Sequence, residues 1–236
     1  MEDLVLNGSS KIGGGSFHHV EINGAGTVEG DLECARLVCN GAGKVSGDVI
    51  AKEAIFKGST RVSGDMHSKE VVINGHGSIS GDLITMQLEC NGAVTVNGNI
   101  KAENIQLNGL TKGGADIEGE NVEVDGVLQL QGLLNADNIK INLEGKSFAK
   151  EIGGGSISVK RRNSLSLLEK LKLGFSKTLE VELIEADNIY LEHTKVSIVR
   201  GNSITLGPGC DIDMVEYQNE FQSHKDSKVK ENKKTE

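Results

Sequence analysis

The sequence predicts an all-β chain, a parallel β-helix of about seventeen residues per coil with one short amphipathic helix added. Three observations carry this. Glycine returns every seventeen residues at Gly24, Gly41, Gly58, Gly75, Gly92, Gly109 and Gly126. A second column, Gly30, Gly47, Gly64, Gly81, Gly98, Ala115 and Gly132, is followed by Asp31, Asp48, Asp65, Asp82, Asn99, Asp116 and Leu133. Between them, apolar residues sit two apart, as in Val20 and Ile22, Leu37 and Cys39, Val71 and Ile73, Ile105 and Leu107. Spacing of two is strand spacing, because alternate side chains share a face. Columns in phase at a fixed period mark a repeat architecture.

Three short strands punctuated by glycine leave no room for a helix inside a repeat. Each strand therefore pairs with its equivalent one coil above and below, at the ordinary interstrand spacing of about 4.8 Å. A single coil cannot bury its few apolar side chains, so stability belongs to the stack. Further apolar columns run through Val28, Val45, Val62, Ile79 and Val96, and through Leu32, Val49, Met66, Leu83, Ile100, Ile117 and Leu134. The column Cys34, Ala51, Ser68, Thr85, Ala102, Gly119, Ala136 is small throughout and suits a tight inner corner.

Residues 1–160 form the solenoid core, with regular repeats over 20–138. The opening residues read as an irregular first coil: Leu4-Val-Leu6-Asn7-Gly8 copies Val20-Glu-Ile22-Asn23-Gly24 at a spacing of 16, and Phe17 is placed to fold over the open end. Ile152-Gly-Gly-Gly-Ser156 repeats Ile12-Gly-Gly-Gly-Ser16 after the phase weakens near Asn142. Residues 161–178 differ in kind. Leu167, Leu168, Leu171 and Phe175 recur at helical spacing, Ser164 lies in a suitable N-cap region, and Lys170 and Lys172 stand beside the apolar face. Six basic residues and one acid between Lys160 and Lys177 make this stretch locally basic. It reads as a helix docked on the coil, or as one that lies on an anionic membrane surface or on a partner. Strand patterns return over 179–217, where Ala186-Asp-Asn-Ile189 echoes Ala136-Asp-Asn-Ile139. Residues 218–236 are polar enough to be expected as a disordered tail.

Composition excludes several functions. A formal charge of −9 and scarce aromatics argue against nucleic-acid binding through a basic face or stacked bases. No signal peptide or apolar membrane span is visible, so a cytoplasmic location is expected, with the inner face of the cell membrane as an extension of it. Cys34, Cys39, Cys90 and Cys210 lack metal-ligand spacing and read as small buried hydrophobes in a reducing compartment. The six histidines make no HExxH or similar pattern, and no nucleophile elbow appears. No catalytic residue, cofactor or metal is expected, and the chain is read as a non-enzyme. Outward carboxylates one coil apart repel by roughly 0.9 kcal/mol per pair in water. The Asp column must therefore be compensated, most simply by backbone N–H groups at each Gly-Asp corner. The Asn column (Asn23, Asn40, Asn74, Asn91, Asn108, Asn142), which precedes glycine at all but Asn142, suits turns whose amides hydrogen-bond along the stack.

The pattern of Val71-Val-Ile73-Asn-Gly75 with Ile79-Ser-Gly-Asp82-Leu83, repeated in phase over roughly residues 4–142, resembles the bactofilins. The resemblance implies a right-handed β-helix that assembles end to end into non-polar filaments without nucleotide. It also implies a scaffold in bacterial cell shape, envelope organisation or motility. The partners so implied are other copies of the chain and other scaffold or envelope proteins, with peripheral membrane contact and no nucleic acid. The basic helix and the β-segment after it depart from the usual short coil between flexible tails. They raise an alternative, a non-polymerising adaptor that binds a protein or the inner membrane surface through the helix.

Overall fold

The computed structural model describes residues 2–162 and 177–235, which fall into two compact units, Met1–Gly119 and Glu120–Glu236. The first unit contains β1 (Leu4–Leu6), β2 (Ser9–Ile22), β3 (Ala25–Cys39), β4 (Ala42–Val45), β5 (Val49–Phe56) and β6 (Ser59–Val62). It continues with β7 (Met66–His67), β8 (Glu70–Ile73), β9 (His76–Ile79), β10 (Leu83–Ile84), β11 (Gln87–Cys90), β12 (Ala93–Val96) and β13 (Ile100–Gly113). Every pairing is parallel. From β3 onward the register advances by the period read in the sequence, as in Leu37↔Ala54, Phe56↔Ile73 and Leu88↔Ile105. The first coil is one residue shorter, with Leu4 opposite Val20, and the ladder slips between Gly13 and Gly15 to recover phase.

Alternation decides what is buried. In β11 and β12 every second residue is buried, placing Leu88, Cys90, Val94 and Val96 inside. Large and small residues compensate along each column. Fully buried Phe56 lies between Cys39 and Ile73, and Ala54, two residues away, replaces the Leu37 of the coil before. All four cysteines are free and buried, as expected of small hydrophobes. Burial, with help from the neighbouring Glu33 charge, pushes the Cys34 thiol up to about 11.

The second unit begins within β14 (Ile117–Leu130) and holds β15 (Leu133–Leu143), β16 (Ser147–Arg161), β17 (Leu179–Leu191), β18 (Thr194–Leu206), β19 (Asp211–Ser223) and β20 (Lys228–Lys234). Here coil length varies. Ile139 faces Ile157, Ile157 faces Ile189, and Ile189 faces Ile204, offsets of 18, 32 and 15 residues. The column survives every change, the largest of which falls between β16 and β17. The echo of Ala136 in Ala186 is a true stacking relation, because both pair with Gly154.

One expectation needs correcting. The disordered tail expected over 218–236 is ordered through residue 234: β19 continues to Ser223, and β20 pairs with it from Asp211↔Lys228 to Tyr217↔Lys234. A terminal coil needs apolar side chains only on its inner side, where β20 helps cover Ile212 and Val215, so a polar composition suits an outermost strand. The helix expected over 161–178 falls, but for its two ends, outside the described residues. Arg161 ends strand β16, and Leu167, Leu168, Lys170, Leu171, Lys172 and Phe175 lie outside the described residues.

Candidate functional site: side-chain ladders, coil edges and the first corner

The Asp column forms a ladder between coils. Asp31 Oδ1 accepts the backbone N–H of Asp48 at 2.9 Å, Asp48 that of Asp65 at 2.8 Å, Asp65 that of Asp82 at 2.8 Å, and Asp82 that of Asn99 at 2.7 Å. The expectation that each carboxylate caps its own corner is thus shifted by one coil. A hydrogen bond to a charged acceptor contributes about 1.5–3 kcal/mol, more than the roughly 0.9 kcal/mol of neighbour repulsion. Asn99 continues the pattern with its amide oxygen, 3.3 Å from the N–H of Asp116. The ladder also explains the glycine before each acid. A Cβ at Gly64 would lie 2.0 Å from Asp48 Oδ1, and one at Gly81 would lie 1.9 Å from Asp65 Oδ1.

The other glycine column is required by backbone alone. A Cβ at Gly58 or Gly75 would lie 2.0 or 2.2 Å from the carbonyl oxygen of the equivalent glycine one coil earlier. Beside it the Asn amides stack as expected. Asn23 donates to Asn7 at 3.1 Å, Asn40 to Asn23 at 2.8 Å, Asn91 to Asn74 at 3.0 Å and Asn108 to Asn91 at 2.9 Å. Lys57 occupies the position between Asn40 and Asn74 and breaks the run.

Edges are where such a stack can bind another chain. At the N-terminal side β1 covers only the Val20–Ile22 part of β2, and among the described residues no strand precedes Ser9 to Ser16. The Ala25 N–H donates to Gly8 O at 2.7 Å, towards the earlier coil. Ser9 lies opposite Ala25 and Lys11 opposite Thr27, so by the same parity their N–H groups point away from β3. Phe17 stands opposite Cys34, at the head of the small-residue column, where no earlier coil among the described residues limits its size. The edge segment Ser-Ser-Lys-Ile-Gly-Gly-Gly-Ser carries a single charge. In the second unit the last strand, β20, carries Lys228, Lys230, Lys233 and Lys234 against Glu231, and these charges make it a more selective edge than Ser9 to Ser16 without removing its backbone groups.

The base of the basic stretch is anchored. Arg161 N–H donates to Glu192 Oε2 at 3.0 Å, Arg162 to Glu144 Oε1 at 2.8 Å, and Lys177 Nζ to Arg162 O at 3.1 Å. Tyr190 donates to the other Glu192 oxygen at 2.7 Å, and that bond, with burial, pushes its hydroxyl up to about 12. Burial, then the Arg161 charge, lowers the nearby His193 imidazole, whose backbone holds a φ of 47°. A Cβ at the adjoining Gly209 would strike that imidazole.

Sequence reasoning passed over one cluster. Asp3 Oδ1 lies 3.5 Å from His18 Nδ1 and 3.3 Å from His19 Nδ1, all three exposed at the first corner. Two adjacent histidines on a straight strand would oppose each other, and Asp3 is far from both in sequence. The shortened first coil was the available signal, since an offset of 16 places Asp3 directly over His19. The open grooves of the second unit, lined by residues such as Lys150, Glu180, Lys195 and Asp213, alternate charge without a nucleophile–base pairing. No helix among the described residues is long and apolar enough to cross a membrane.

Residues 4–99 match the bactofilin family, described as polymer-forming cytoskeletal. Over 222 residues, 94% of this chain and 93% of the relative, the sequence is 60% identical to the uncharacterized protein YhbE of Bacillus subtilis (strain 168). Over 104 residues, 44% of this chain and 42% of the relative, it is 40% identical to the uncharacterized protein YhbF of the same strain. No solved structure matches.

Proposed function

This chain belongs to the bactofilin family, whose members are polymer-forming cytoskeletal proteins, and from that membership we propose that it self-assembles through the ends of its coil stack. The observation that carries the reading is the uncovered edge of β2. Its outward N–H groups at Ser9 and Lys11 offer a template for a strand of a second copy, with one charge to oppose it. The coil winds right-handed, the hand that nearly all β-crossover-β connections take. The assembly is a nucleotide-free, non-enzymatic scaffold in the cytoplasm, at or near the inner face of the cell membrane, organising partner proteins in cell shape, envelope or motility processes. Negative-stain electron microscopy across a protein-concentration series tests this. Filaments without nucleotide are expected, and small particles of one fixed mass at every concentration would reject self-assembly.

A second reading rests on the basic stretch. Leu167, Leu168, Leu171 and Phe175, with Lys170 and Lys172, have the pattern of a helix that presses apolar side chains into an anionic surface. The anchored pair Arg162 and Lys177 holds the two ends of this stretch at one corner of the stack. Flotation with vesicles rich in phosphatidylserine is expected for the wild-type chain and lost in Leu171→Glu. Equal flotation of the two would remove membrane contact from the account.

A further inference from the structure

The geometry points to a site for one first-row divalent cation of the zinc class at the first corner of the stack, held by Asp3 Oδ1, His18 Nδ1 and His19 Nδ1. Backbone pairing brings the three residues to one corner. The His18 N–H donates to Glu2 O at 2.9 Å and the His19 N–H to Asp3 Oδ1 at 3.1 Å, which fixes the carboxylate above both rings. Phe17 pairs with Cys34 and His19 with Arg36, while His18 has no register partner. The chain turns its corner there, so two successive side chains face solvent on the same side, with ring centroids 4.1 Å apart.

The separations suit a tetrahedral ion. With bonds of 2.0–2.1 Å, two ligand atoms of such an ion lie about 3.3 Å apart. The two carboxylate–imidazole distances are 3.3 and 3.5 Å, and one ligand atom from each of the three residues lies within 4.8 Å of the other two. One carboxylate and two neutral imidazoles leave the ion a net positive charge and a fourth position open to water or to a donor from another molecule. The His19 N–H bond orients the carboxylate, as groups behind a metal ligand commonly do. The equivalent corners of the next coils carry Ala35 and Arg36, Lys52 and Glu53, then Lys69 and Glu70, so the set occurs once in this column. Of the other exposed histidines, His224 has one nearby carboxylate, Asp226 at 3.6 Å.

Calorimetric titration of the untagged full-length chain with zinc chloride tests the site. One equivalent of zinc per chain is expected. Asp3→Asn and the double variant His18→Ala/His19→Ala should each weaken binding at least roughly tenfold. The double variant His67→Ala/His76→Ala should bind as wild type, and cobalt should give the intense visible bands of a tetrahedral ion with wild type and this control but not with the Asp3 or His18/His19 variants. The three groups are exposed, so melting curves of the variants should match the wild type and confirm that they fold. Absence of zinc binding by the wild type, or equal binding by the His18/His19 variant, would overturn the assignment.

Discussion

At the scale of single residues, this chain is governed by pairs that meet one coil apart. Gly64 is glycine because the Asp48 carboxylate occupies the space of a Cβ, and that carboxylate is there to accept the Asp65 N–H. Gly64→Ala should therefore displace the carboxylate, leave the N–H unpaired and cost about 1–3 kcal/mol in chemical denaturation. Asp48→Asn keeps an oxygen for the same bond, as Asn99 already does for Asp116, and trades a weaker bond for relief of repulsion. Its stability should stay within about 1 kcal/mol of wild type. A harmless Gly64→Ala beside a damaging Asp48→Asn would show that charge, rather than hydrogen bonding between coils, is what matters here. The glycine and Asp columns were legible in the sequence because both follow the period. The partner of each carboxylate was not, because columns fix which residues stack and not which N–H turns towards which coil. The Asp3, His18 and His19 corner was hidden for a related reason. Its members are neighbours only through the first coil's length of 16, a spacing visible in Leu4 and Val20 but not extended to the residues beside them.

At the scale of elements, apolar alternation identified the strands wherever one face is buried, and it failed at the outermost one. β20 is exposed at nearly every position, so Lys228 to Lys234 has no hydrophobic signature, and its order comes from backbone pairing with β19. Deleting residues 225–236 should therefore uncover Ile212 and Val215, lower the melting temperature by several degrees and raise binding of a hydrophobic dye. An unchanged melt would mean that β20 contributes nothing to the stack. The second unit shows how far the ladder tolerates variation. Coil offsets of 18, 32 and 15 residues leave Ile139, Ile157, Ile189 and Ile204 in one line, since extra residues can leave at a corner at modest entropic cost. The echo between Ala136 and Ala186 was readable for that reason, and the intervening register was not. The candidate membrane residues sit in the 32-residue offset, in a stretch set apart by composition alone.

At the scale of the whole molecule, the family supplies the capacity to polymerise, and the strand edges suggest where a polymer grows. A filament uses both edges, and they are chemically unlike: Ser9 to Ser16 is small and nearly uncharged, whereas β20 is rich in lysine and pairs more selectively. Growth through the N-terminal edge requires outward N–H groups, and Lys11→Pro removes one without touching a backbone bond to β3, losing besides it only the exposed Lys11–Glu29 ion pair, in a setting where edge strands accept proline. The most direct measurement is thus negative-stain electron microscopy of wild type and Lys11→Pro at matched concentrations, with melting curves to verify that both fold. Filaments from wild type and particles no larger than a dimer from Lys11→Pro are predicted. Filaments of undiminished length from Lys11→Pro would contradict assembly through this edge.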